Sequence, residues 1–69
     1  MDIINIKLTE DAKCVVVRNG EEETVKHPKG TVFFDVYEVN YDDEPSEWQH
    51  LDDDMVSTFI PKSKAALLQ

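Results

Sequence analysis

Apolar and polar residues alternate with a period of two along most of the chain, the period of strands rather than helices. Ile4, Ile6 and Leu8 fall on one side of residues 3–8, with Asn5 and Lys7 on the other. After a polar connection at 9–12, residues 13–18 carry Val15-Val16-Val17, a strongly β-forming run. Asn19-Gly20 follows, the dipeptide that best suits a two-residue type I′ hairpin turn. The return strand, 21–26, is acidic and poor in apolar residues, which places it at a sheet edge, where charge resists unwanted pairing. His27-Pro28-Lys29-Gly30 reads as a turn.

Residues 31–41 read as the strongest strand. Val32, Phe34 and Val36 line one face, and Phe33, Asp35, Tyr37, Val39 and Tyr41 the other. Apolar residues on both faces imply a curled sheet or small barrel, or one face left open for a partner. Residues 40–46 form an exposed loop. Glu47–Leu51 is a short strand around Trp48, Asp52-Asp53-Asp54 a tight acidic turn, and Val56, Thr58 and Ile60 one side of a further strand. Pro61-Lys62-Ser63-Lys64 interrupts the pairing, and 65–69 is either one helical turn or a last strand.

The pattern predicts one small, mainly β domain over residues 1–69: a strongly bent antiparallel sheet or open barrel of five or six short strands. Its expected core is Ile4, Ile6, Val15, Val17, Val32, Phe34, Val36, Val56 and Ile60. Phe59-Ile60-Pro61-Lys62-Ser63 resembles the close of SH3-like barrels, where a final hairpin leads through Ile-Pro and one 3₁₀ turn into a short closing strand. The resemblance covers only the end of the chain. The aromatic array of the SH3 proline-binding face has no counterpart, so that activity is not carried over.

Charge changes the picture. The chain has 15 carboxylates, 7 lysines and arginines and a formal charge of −8. Nine of the carboxylates lie between residues 35 and 54: Asp35, Glu38, Asp42, Asp43, Glu44, Glu47, Asp52, Asp53 and Asp54. No lysine or arginine falls between Lys29 and Lys62. The other 49 residues hold six carboxylates against all seven cations, a net +1. Glu21-Glu22-Glu23 is a smaller cluster. All six aromatic residues fall between Phe33 and Phe59, within or beside the acidic stretch. Acidic segments that only solvate are poor in aromatics, so this one reads as a folded surface.

That surface disfavours direct binding of DNA, RNA or an anionic membrane. Cys14 is the only cysteine, so no internal disulfide forms, and a small domain without one reads as cytoplasmic. No apolar run approaches the ~18 residues of a membrane span. Met1-Asp2-Ile3-Ile4 lacks the basic start and apolar stretch of a secretory signal.

Candidate chemistry is sparse. Cys14 with His27 or His50 would make a nucleophilic pair, but Cys14 sits in an apolar β run and reads as a buried packing residue. His27 is expected exposed in its turn and His50 packed near Trp48. Neither histidine has a partner at zinc spacing. The 42–44 and 52–54 clusters lack the alternating acids, central Gly and final Glu of a calcium loop. Phosphate-loop, nucleophile-elbow and His-Glu-x-x-His signatures are absent. The expectation is a non-enzyme without metal or cofactor.

Two functions fit. In the first, the carboxylates stand in for phosphates and occupy the basic surface of a nucleic-acid-binding partner protein. Small size, acidity and lack of chemistry are similar to phage-encoded DNA-mimic and anti-CRISPR inhibitors, a resemblance that implies action in a host cytoplasm. The expected partner-binding residues are Asp35, Tyr37, Glu38, Tyr41, Asp42, Asp43, Glu44, Glu47, Trp48, Asp52, Asp53 and Asp54. Clusters 42–44 and 52–54 lead, because they lie at strand ends, and Glu21–Glu23 should matter less. In the second, the chain is an accessory β subunit that binds a partner or itself through residues 31–41.

Overall fold

Asn19 and Gly20 both take positive φ, 52° and 79°, as a type I′ turn demands. Arg18 faces Glu21 across that turn, and the register continues to Ala12 opposite His27. The hairpin therefore joins β2 (Ala12–Arg18) to β3 (Glu21–His27) without a bulge. This is a computed structural model describing residues 3–68. Met1 and Asp2, part of the expected 1–69 domain, and Gln69, the end of the expected closing element, lie outside the described residues.

The other strands are β1 (Asn5–Leu8), β4 (Val32–Phe33), β5 (Tyr37–Val39), β6 (Glu47–Leu51), β7 (Ser57–Pro61) and β8 (Ala65–Leu68). A 3₁₀ turn, Lys62–Lys64, separates β7 from β8, so the chain closes on a strand after Ile-Pro and one turn. Two antiparallel sheets result, a five-stranded one ordered β3-β2-β7-β6-β5 and a three-stranded one ordered β4-β1-β8. They do not close into a barrel. The acidic β3 lies at an edge, as its composition implies.

Residues 31–41 do not form one strand. Asp35 has φ 54°, a conformation Asp tolerates better than most residues. Its N–H donates to Asn5 Oδ1 at 2.9 Å, and the Val36 N–H donates to the Ile4 carbonyl at 2.8 Å. This bend passes the chain from β4 in one sheet to β5 in the other. The split, with the pairing of β8 on β1, raises the strand count to eight among the described residues. Alternation also restarts at the bend: Phe33 and Val36 both point inward, and Phe34 is left 63% exposed. Phe34 therefore leaves the expected core.

The core holds Ile6, Leu8, Ala12, Cys14, Phe33, Val36, Trp48 and Ile60, with Val16 also buried and Ile4 packed against it. Ile6, Val36 and Ile60 are where the alternation puts them. In β2 the parity is the reverse of expectation: Ala12, Cys14 and Val16 face inward, while Val15 and Val17 are half-buried on the outer face. Val32 and Val56 are also half-buried. Small residues on the inner face of β2 leave room for Trp48 and Phe33. His27 is half-buried rather than exposed, its ring edge-on to Phe33 at 5.3 Å; His50 approaches the same ring at 5.7 Å. No described helix is long and apolar enough to cross a membrane.

Candidate partner-binding face

Register fixes what the outer face of the five-stranded sheet presents. Thr24 pairs with Val15, Val15 with Phe59, Phe59 with Gln49 and Gln49 with Tyr37. Cross-strand partners share a face, so these five residues form one row across all five strands. The flanking rows place Glu22 with Val17 on one side and Glu47 with Val39 on the other. Val15 and Phe59 are half-buried and make an apolar floor.

After β5 the chain turns over this floor, and its base is well tied. The Tyr41 hydroxyl donates to Glu47 Oε1 at 2.9 Å, and the Ser46 hydroxyl to Asn40 Oδ1 at 2.9 Å. The Lys62 N–H donates to the Ser46 carbonyl at 3.3 Å. The tip, Asp42-Asp43-Glu44, is exposed. Together they enclose a groove of about 320 Å³ lined by Val15, Glu22, Tyr41, Glu44, Glu47 and Phe59. The hydrogen bond to Glu47, with desolvation and the Glu47 and Glu44 charges behind it, pushes the Tyr41 phenol up, so it remains a donor.

The expected site residues do not form one cluster. Tyr41, Glu44 and Glu47 meet in the groove, with Tyr37 exposed in the central row of the same face. Asp42 and Asp43 sit beside them on the loop tip. Glu38 faces the opposite way, on the same side as Trp48, its partner in register. It is ion-paired with Lys62, whose Nζ lies 4.6 Å from the centre of the Trp48 ring. The hydrogen bond and charge of Lys62 hold the Glu38 carboxyl below its ordinary value. Trp48 itself is 9% exposed and belongs to the core. Asp35 is the inter-sheet bend. Asp52 is committed to its turn: its Oδ1 accepts the Asp54 and Val56 N–H groups at 2.8 and 3.0 Å. That leaves Asp53 and Asp54 as the exposed, uncommitted members of their cluster.

Val15, Phe59 and Glu22 line the groove although none is among the residues expected to bind a partner. For Glu22 the signal was present: the Asn19-Gly20 turn fixes it opposite Val17 and separates it by parity from Glu21 and Glu23. Glu22 therefore does not behave as a remote control for the loop cluster.

Elsewhere the described residues offer little reactive chemistry. Burial, and then the Glu47 charge, push the Cys14 thiol up, which disfavours the thiolate a nucleophile needs. Cys14 is fully buried, the packing role its apolar run implies. Among the described residues no group of three His, Cys, Asp or Glu side chains could hold a metal ion. No family model matches the chain, no curated protein matches it, and no solved structure matches it.

Proposed function

We propose that this chain is a small, non-enzymatic cytoplasmic binding protein that occupies the basic, nucleic-acid-binding surface of a partner protein, in the manner of DNA-mimic inhibitors. One observation carries the proposal: Glu22, Glu44 and Glu47 gather on the outer face of the five-stranded sheet, with Asp42 and Asp43 on the adjoining loop tip, and none of them makes an ion pair among the described residues. The ion pairs among the described residues join Lys26 to Asp11, Lys62 to Glu38 and Lys64 to Glu10. None involves Glu22, Asp42, Asp43, Glu44, Glu47, Asp53 or Asp54. A surface evolved to hold a phosphate backbone would be steered toward such a face.

Capture from lysate at low salt, followed by competition on the purified partner, tests this. Duplex DNA or RNA should displace the chain, and affinity should fall steeply as salt shortens the screening length. A partner that binds equally well at high salt and ignores nucleic acid would refute it.

Phe34 supports a second reading. It is exposed just past β4, near the outer face of the three-stranded sheet, where Leu68 is also exposed. An accessory subunit would use that apolar surface, and its association would be nearly independent of salt.

A further inference from the structure

The outer-face groove differs from the rest of the acidic surface in its floor. The exposed carboxylates at 42–43 and 53–54 stand on loop and turn tips, whereas Glu22, Glu44 and Glu47 rim a depression whose base is Val15 and Phe59. A volume of about 320 Å³ is at the small end of ligand sites, roughly 300–1,000 Å³, the scale of one long side chain rather than a cofactor. An anion or a purely apolar group would be rejected by three carboxylates. A bare metal ion would gain nothing from an apolar floor. The side chain that matches both parts has an aliphatic stem and a cationic head.

We propose that the groove seats a single arginine side chain of the basic partner, its stem on Val15 and Phe59 and its guanidinium among Glu22, Glu44 and Glu47. This rests on the functional reading above and narrows it to one anchoring contact. Arginine fits better than lysine because its planar fork bonds carboxylates two at a time and stacks on aromatic faces such as Tyr41 and Phe59. Glu47 is already oriented by the Tyr41 hydroxyl through Oε1, which leaves Oε2 for the guest. Charge complementarity supports this occupant: among the described residues no lysine or arginine comes within ion-pair distance of the three rim carboxylates, while Glu10, Asp11 and Glu38 each have a lysine.

The test is an amide and aromatic NMR titration of the full chain with a blocked Gly-Ser peptide carrying one central arginine. A citrulline peptide of equal shape and no charge, and a lysine peptide, run beside it. Saturable shifts at Val15, Tyr41 and Phe59 are expected with arginine, weaker ones with lysine and none with citrulline. The double variant Glu22→Gln, Glu44→Gln should bind about tenfold more weakly, the scale of losing a charged hydrogen bond. Glu21→Gln with Glu23→Gln, which point away from the groove face, should bind as the parent does. Arginine shifts confined to the 42–43 and 53–54 tips, or equal responses to arginine and citrulline, would overturn the groove assignment while leaving the wider electrostatic reading in place. If, in addition, the purified basic partner fails to bind in a salt-dependent way, that reading falls separately.

Discussion

The two sheets turn very different outer faces to solvent. On the five-stranded sheet, Val15 and Phe59 floor an open groove flanked by carboxylates and by a hydrogen-bonded loop. On the three-stranded sheet the register groups Asn5 with Leu68 and Lys7 with Val32 and Ala66, and Phe34 stands exposed beside them. The first face holds a groove rimmed by Glu22, Glu44 and Glu47, with the Lys13–Lys26 pair on the same face beyond Val15 and Thr24; the second has no such groove among the described residues and carries Lys7 between Val32 and Ala66. The contrast separates the two functional readings, since a basic partner would choose the first face and an apolar subunit contact the second.

The largest effect expected from a single substitution tests whether the faces share one support. Trp48 packs into the core between the sheets, and Trp48→Ala should cost about 3–5 kcal/mol, most of the stability of so small a domain. Urea unfolding followed by probes in each sheet should give coincident transitions at lower denaturant. Separate transitions would mean that the faces are independent units.

Next in size is the acidic face itself. Reversing Glu22 and Glu44 to lysine should leave folding nearly intact, as exposed charges contribute little, yet slow association with a basic partner by about tenfold or more at low salt, because steering is lost. Phe34→Ser on the other face should leave that rate unchanged. Stopped-flow association at two salt concentrations distinguishes them, and the opposite ranking would favour the subunit reading.

Within the acidic set, Asp52 differs from its neighbours in holding its own turn. Asp52→Ala removes the acceptor of two backbone N–H groups and should cost about 1 kcal/mol, whereas Asp53→Ala and Asp54→Ala should change the thermal midpoint little. Equal costs at all three would show that Asp52 is not the turn residue.

The smallest expected effect concerns Glu38. Its carboxyl is held below its ordinary value by Lys62, so the pair stabilises the fold above the unfolded-state value and is lost as pH falls through the lowered one. Titrating the chain with acid while following Trp48 fluorescence should show a step below the usual glutamate range, as Lys62 leaves the ring. The step should vanish in Lys62→Gln.

Much of the scaffold was legible in the order of residues, because its signals are local. Asn19-Gly20 names its own turn, three aspartates their own bend, and Ile-Pro before Lys62 the break that leads into β8. The parity of β2 is concealed although Lys13 marks the solvent side: Cys14 through Val17 is apolar throughout, and such a run does not show which face is in. The break at Asp35 was not legible, since positive φ at an aspartate is imposed by contacts from Asn5 and Ile4 thirty residues away. The groove was half legible for the same reason. Its acids lie in an obvious charged stretch, but its floor exists only once β2 and β7 are paired.

Hydrogen exchange of the chain, alone and bound to its purified basic partner, shows which sheet meets that partner. New protection is expected on the five-stranded side, in Glu21–His27, in the loop 40–46 and in Glu47–Leu51, with Val32–Phe33 and Ala65–Leu68 unchanged. Protection confined to Val32–Phe33 and Ala65–Leu68 would contradict binding through the acidic face.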